Sequence, residues 1–222
     1  MQSPSNSRLT EAEIATQDRD MRREDLGELS YIVHFDNVIS IFQNGILSHA
    51  LSKDLPHRSV SSQVVQGKRE AKLFPQEMSL HNYVPLYICG RNPMLFRLKF
   101  SSGYSEICVL SISPEVLDLP GVIISDRNAS SDYALFKPSP QGLEIVDKDL
   151  VFAGYWNHTD AVEKYKHVSI KCAEVLVPDR VPARYISGAC VSCPESKEAL
   201  EMKLSHAGLS INVVVNTYLF FK

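Results

Sequence analysis

The sequence predicts an α+β fold built on a mainly antiparallel sheet. Three observations carry that prediction. Short apolar runs such as "YVPLYI", "EICVLSIS" and "AEVLV" recur along the chain and stop at glycine, proline or polar turn residues, as strands do. Short helical patterns are mixed among them, which suits an α+β architecture. Hydrophobic residues make up 44% of 222 residues, enough to bury a sizeable core and to exclude wholesale disorder. The chain has no internal repeat and no low-complexity segment.

Residues 1–27 are polar and highly charged and read as an extension, mobile or loosely helical, ahead of a domain spanning 28–222. "SYIV" opens that domain as a strand. A helix follows, capped by Asp36 or Asn37, with Val38, Ile41 and Phe42 on one face and Gly45 as its stop. Residues 48–82 lack clear periodicity. They hold Lys53, His57, Arg58, Lys68, Arg69, Lys72 and His81 against Asp54, Glu70 and Glu77. This is the one basic, loop-like region of the chain; long loops in compact domains are usually functional or disordered, and charge alone favours the alternative of a solvated helical face around "SSQVVQGKREAK". "YVPLYI" is a strand, "GRNPML" a turn around Pro93, and "EICVLSIS" a strand. Ser113 caps a short helix with Pro114 in its first position. "GVIIS" is a buried strand that runs into the loop "DRNASSDYALF". Residues 159–168 read as a helix capped by Thr159. "AEVLV" and "RYISGACVS" are strands, Pro194 to His206 is a helix, and "INVVVNTYLFF" is a closing strand.

The formal net charge is −3, from 23 Lys and Arg against 26 Asp and Glu. A generally cationic nucleic-acid binder is excluded, so any nucleic acid must be held by a local basic patch. Five cysteines form no disulfide framework, and Cys190 and Cys193 lack the second pair that a zinc ribbon needs. No apolar run approaches the ~18 residues of a membrane span, and the N-terminus has no apolar signal-peptide core. A cytoplasmic protein without a membrane partner is expected. The P-loop, dinucleotide, zinc-protease and nucleophile-elbow motifs are absent. One residue stands out. In "KCAEVLVPDRVP", alternation puts Ala173, Val175 and Val177 on one side of a strand and Cys172, Glu174 and Leu176 on the other. Glutamate is rarely buried without a partner. Glu174 is therefore either a paired structural carboxylate or a functional one.

Several segments, in order, carry a resemblance: "HFDNVISIFQNGILS", "HRSVSSQVVQGKREAKLFP", "LHNYVPLYICGRNPML", "SDRNA", "GYWNHTD" and "AEVLVPDRVP". Together they resemble the DarT family over roughly residues 30–222. DarT is the toxin of the DarT–DarG toxin–antitoxin pair, an ADP-ribosyltransferase that uses NAD to modify bases in single-stranded DNA. The resemblance implies an ADP-ribosyltransferase-like fold, with two packed, mainly antiparallel β-sheets around an NAD cleft and surrounding helices. It implies that Glu174 and Arg69 are catalytic. It implies NAD contacts from Tyr31, Ile32, Val33 and His34 in the first strand, from Ser40 behind it, and from Ser48, Arg69 and Arg91. Arg58, Lys68, Lys72 and Arg91 are the expected DNA contacts. No metal is implied. The implied partner is a DarG-like antitoxin with a macrodomain, and a monomer is expected.

The physics fits these roles. A carboxylate on a rigid strand can stabilise positive charge developing on a ribose and can take a proton from an incoming base nitrogen. An arginine fork suits a pyrophosphate. Thymidine is the favoured acceptor, because "GRNPML" and "KREAK" stand closer to the thymidine-modifying branch; guanosine is the alternative, and RNA a weaker one. There is one departure. Many relatives read "Y-H-I-T-H" where this chain reads "S-Y-I-V-H". That change motivates a second reading from another class, a nucleic-acid-binding module with a decayed NAD site.

Overall fold

The computed structural model describes residues 20–60, 67, 69–70 and 79–222. The strands are β1 (Leu29–His34), β2 (Ile46–Leu47), β3 (Tyr83–Tyr87), β4 (Ile107–Ile112), β5 (Ile123–Ser125), β6 (Phe136–Pro138), β7 (Glu174–Pro178), β8 (Arg180–Val181), β9 (Ile186–Val191) and β10 (Asn212–Val215). The α-helices are α1 (Phe35–Asn44), α2 (His49–Ser52), α3 (Pro93–Ser101), α4 (Lys148–Phe152), α5 (Ala161–Ile170) and α6 (Pro194–His206).

Eight strands form one sheet in the order β10-β9-β4-β1-β3-β7-β5-β6, antiparallel throughout except for β10 on β9. β2 and β8 make a separate two-stranded sheet. β1 pairs with β4 along its whole length, from Leu29↔Ile112 to His34↔Ile107, yet meets β3 only at Ser30↔Tyr87. The sheet is therefore two four-stranded halves joined at a point. The expected pair of sheets takes this form, a single hydrogen-bonded sheet that splays between β1 and β3.

The alternation expected around Glu174 is what the packing shows. Val175 and Val177 join the main core with Val33, Val38, Leu86 and Leu110. Leu176 faces the other way, into a small cluster with Leu80, Tyr83 and Ala129. A third cluster packs Leu95 and Leu98 of α3 against Ile32, Tyr104 and Phe220. Each fully buried side chain of this size contributes about 1.5–3 kcal/mol relative to exposure.

Several local expectations are corrected. His34, rather than Asp36 or Asn37, caps α1: its ring nitrogen accepts the Asp36 N–H at 3.1 Å. An imidazole can do what a carboxylate does at that position. Gly45 does end α1, with φ of +81° and with the Val181 carbonyl oxygen 2.6 Å from where a Cβ would stand. "GRNPML" is not only a turn. Asn92 accepts the Leu95 N–H at 3.0 Å and Pro93 begins α3, because proline's missing N–H is harmless in a first helical turn. α5 is capped by Asp160, not Thr159. The final strand ends at Val215. The Asn216 side chain then accepts the Leu219 N–H at 2.9 Å and turns the chain so that Phe220 fills the third cluster. Residues 20–27 are packed onto the domain: Met21 is 2% exposed and Arg23 pairs with Asp118 at 2.6 Å. Residues 1–19 lie outside the described residues. Among the described residues, no helix is long and apolar enough to cross a membrane.

Candidate active site

Glu174 is the first residue of β7, and the register sets it between Tyr87 of β3 and Ser125 of β5. It is 1% exposed. Its partner is Arg69, itself 6% exposed, whose Nη1 donates to Oε2 at 3.0 Å and to Oε1 at 3.2 Å. The Ala129 N–H adds a weaker contact to Oε1 at 3.4 Å. A buried charge is tolerable only when paired and hydrogen-bonded, and each of these two charges makes the other tolerable.

The backbone donor is placed by the loop 126–135. Asp126 accepts the Leu135 N–H at 2.8 Å and pairs with Arg127 at 2.7 Å, while the Ser125 hydroxyl donates to the Arg127 carbonyl at 2.7 Å. These short-range bonds close the loop and leave Ala129 over Glu174.

The splay between β1 and β3 opens a cleft of about 150 Å³. Tyr31, Ile32 and Val33 form one wall, Tyr83, Pro85 and Tyr87 the other, and Arg69 lies at the base. Glu174 is not on the surface of the cleft; the Arg69 guanidinium covers it. Among the described residues, Arg69 Nη2 has no hydrogen-bond partner. Burial, and after it the Glu174 charge, push the Tyr87 hydroxyl well above its ordinary pKa. Burial pushes Tyr31 up to about 12. Both stay protonated near neutral pH and can donate a hydrogen bond.

One rim of the cleft is clamped by Asn37. Its amide donates to the Arg58 carbonyl at 2.8 Å and accepts the Arg58 N–H at 2.9 Å. The Arg58 guanidinium lies 3.7 Å from both Asp36 and Glu106. Lys203 holds Asp36 from the other side at 2.6 Å, and that hydrogen bond keeps the Asp36 carboxyl below the usual range.

The structure thus gathers Tyr31, Ile32, Val33, Arg58 and Arg69 around one cleft with Glu174 beneath. Other expected contacts stand elsewhere. His34 caps α1 and borders a neighbouring pocket with Arg58 and Glu106. Ser40 borders a pocket beside the cleft. Ser48 is fully buried and caps α2. Arg91 stacks between Tyr218 and Phe221, 4.2 and 4.0 Å from their ring centres, and donates to the Tyr218 carbonyl. Lys68 and Lys72 lie outside the described residues. Sequence reading missed Asn37 as a clamp and the Ala129 N–H. The "SDRNA" block marked the right loop, but a backbone donor has no residue signature.

A splayed, mostly antiparallel sheet with an arginine-paired glutamate under its cleft is the ADP-ribosyltransferase class of fold. The chain is similar to the solved structure of Thermosipho africanus DarTG in complex with ADP-ribose, with a TM-score of 0.77 at 28% identity over 87% of this chain and 51% of that one. Thermus sp. 2.9 DarT in complex with ADP-ribosylated ssDNA shares the fold, with a TM-score of 0.77 at 24% identity over 90% and 99% of the two chains. The family model for DarT, described as ssDNA thymidine ADP-ribosyltransferase, matches residues 30–221, and the chain belongs to that family. A Thermosipho africanus DNA ADP-ribosyl transferase–DNA ADP-ribosyl glycohydrolase fusion protein is 32% identical over 194 residues, 83% of this chain and 47% of the relative. A Thermus sp. DNA ADP-ribosyl transferase is 29% identical over 162 residues, 68% of this chain and 75% of the relative. The chain spans about half the length of the fusion protein.

Proposed function

We propose that this chain transfers ADP-ribose from NAD to a thymidine base in single-stranded DNA. The observation that carries this reading is the Arg69–Glu174 pair at the base of the cleft between β1 and β3. Membership of a family described by that activity supports it. NAD would supply an activated ribose with nicotinamide as the leaving group. Arg69 Nη2, without a hydrogen-bond partner among the described residues, suits a phosphate oxygen. Tyr31 and Tyr87 offer ring faces and hydroxyl donors to the nicotinamide end. Glu174 would stabilise the positive charge that builds at the ribose carbon as the bond to nicotinamide breaks. A base nitrogen forms the new bond to that carbon, and its proton passes to the Glu174 carboxylate. Because Arg69 covers Glu174, the guanidinium must shift toward the incoming phosphate for the carboxylate to reach the ribose.

The acceptor and its setting are part of the proposal. The chain acts as a monomeric, cytoplasmic toxin-like enzyme, opposed by a glycohydrolase antitoxin with a macrodomain. The relative in which a transferase and a DNA ADP-ribosyl glycohydrolase are one chain supports that pairing. The test is mass spectrometry of mixed-sequence single-stranded oligonucleotides after incubation with protein and NAD. The expected product carries one added ADP-ribose on thymidine. An adduct on guanosine moves the acceptor and leaves the chemistry standing. No adduct on any base, with NAD left intact, rejects the activity.

A further inference from the structure

A second cavity, of about 460 Å³, opens on the other side of α3 from the cleft. Arg91, Phe96, Tyr155, Trp156, Lys164 and Phe221 line it, and no carboxylate does among the described residues. Its rings are already arranged. Phe221 meets Phe96 and Trp156 edge to face with centres 4.9 and 5.7 Å apart, and Arg91 lies on the Phe221 ring. The segment that carries Tyr155 and Trp156 is fixed from below. Lys171, fully buried, donates to the Val151 and Ala153 carbonyls at 2.6 and 3.0 Å and sits 5.5 Å from the Trp156 ring centre. Despite this anchoring, Tyr155 is 69% exposed and the neighbouring Tyr218 64%. Fixed, exposed aromatic rings beside cations, with no acid among them, have the chemistry that takes unstacked bases and their phosphates.

The position fits as well. Met94 lines the cleft and Phe96 lines this cavity, and side chains two apart on a helix point to opposite sides. The first turn of α3 thus carries a lining residue of each. A polynucleotide leaving the cleft over that turn meets Tyr155 and Trp156 next.

We infer that this cavity is a subsite for an unmodified base of single-stranded DNA adjacent to the target base. That base stacks on Tyr155 and Trp156, and its phosphate is held by Lys164 and Arg91. The inference rests on the DNA-modifying reading above, but it can be tested apart from catalysis. Trp156 is the only tryptophan of the protein, so its fluorescence reports this cavity directly.

The experiment titrates the intact protein, without NAD, with short mixed-sequence single-stranded oligonucleotides. Trp156 emission is followed alongside the anisotropy of a labelled oligonucleotide. Saturable quenching is expected. Tyr155→Ala and Lys164→Glu should each raise the oligonucleotide Kd at least about fivefold, with unchanged thermal melting and unchanged NAD affinity. Lys164→Ala should also flatten the salt dependence of binding by about one unit of slope. Binding that leaves Trp156 emission untouched and both variants at the wild-type Kd overturns the subsite. Adduct formation together with that result removes the subsite and keeps the activity. Quenching without adducts keeps the subsite and removes the activity. Absence of oligonucleotide binding removes both.

Discussion

Removing the Glu174 carboxylate by truncation leaves a guanidinium buried and unpaired. Glu174→Ala is therefore expected to lower stability by about 3–5 kcal/mol, and lost activity in that variant would not separate chemistry from folding. Glu174→Gln keeps the volume and an oxygen for Arg69 Nη1 while removing the charge. It is expected to lose less stability than Glu174→Ala, because one acceptor for Arg69 remains, yet to lose adduct formation by roughly 100-fold or more. Near-wild-type adduct formation by the glutamine variant would reduce Glu174 to a structural partner of Arg69. Replacing both members by apolar residues, Arg69→Met with Glu174→Leu, should cost less stability than Glu174→Ala alone, since a buried pair can be replaced by apolar packing. A strand pattern raised the question of Glu174, because a glutamate amid valine and leucine is conspicuous. Its answer needed Arg69, which is 105 positions away in the chain and invisible to any local pattern.

At the level of elements, one end of α1 organises the rim of the cleft. Asn37 makes two hydrogen bonds to the backbone of Arg58, worth about 0.5–1.5 kcal/mol each. Asn37→Ala is expected to raise the KM for NAD several-fold with little change in kcat, because it loosens a wall and touches no reacting atom. A fall in kcat with an unchanged KM would contradict that role. Asp36 in the same turn adds a pH dependence. Its folded pKa is depressed, first by the hydrogen bond from Lys203. Its contribution is thus fully present above the unfolded value of about 3.9 and is lost as pH falls through the folded value. Wild type and Asp36→Asn should differ in melting temperature at neutral pH and converge in acid. Asp36 is half exposed, so the difference should stay below about 1 kcal/mol. The sequence marked this helix and its Gly45 stop. It misassigned the cap because which nitrogen or oxygen reaches a free N–H depends on backbone angles that composition does not carry.

For the whole molecule, function depends on how far the two half-sheets stand apart, and Gly90 sits at their junction. A Cβ there would lie 2.6 Å from the Ser30 hydroxyl oxygen and 3.2 Å from a Leu219 methyl. Ser30 is also the one residue of β1 that pairs with β3. Gly90→Ala is expected to destabilise by about 1–3 kcal/mol through overpacking and to lower adduct formation by shifting the two walls. Ser30→Ala, which removes the nearest atom, should restore part of both. Melting curves and adduct rates for the single and double variants check this, and full activity in Gly90→Ala would show that the junction tolerates the shift.

Local residue chemistry did not determine α3, α4 or the short strands β2, β6 and β8; it determined the type of most longer elements, the α+β class and the odd position of Glu174. Those features depend on period, capping and turn residues, which act over a few positions. The ordered blocks, read as a resemblance, also named Arg69 and the first strand. Tertiary structure decided the rest. Arg91 left the cleft because the C-terminal segment folded back and stacked Tyr218 and Phe221 on its guanidinium. His34 and Ser48 became helix caps because the nearest free N–H groups were their own helices'. The cleft itself exists because β1 touches β3 at one residue pair, and the splay of a sheet is a property of how distant strands meet.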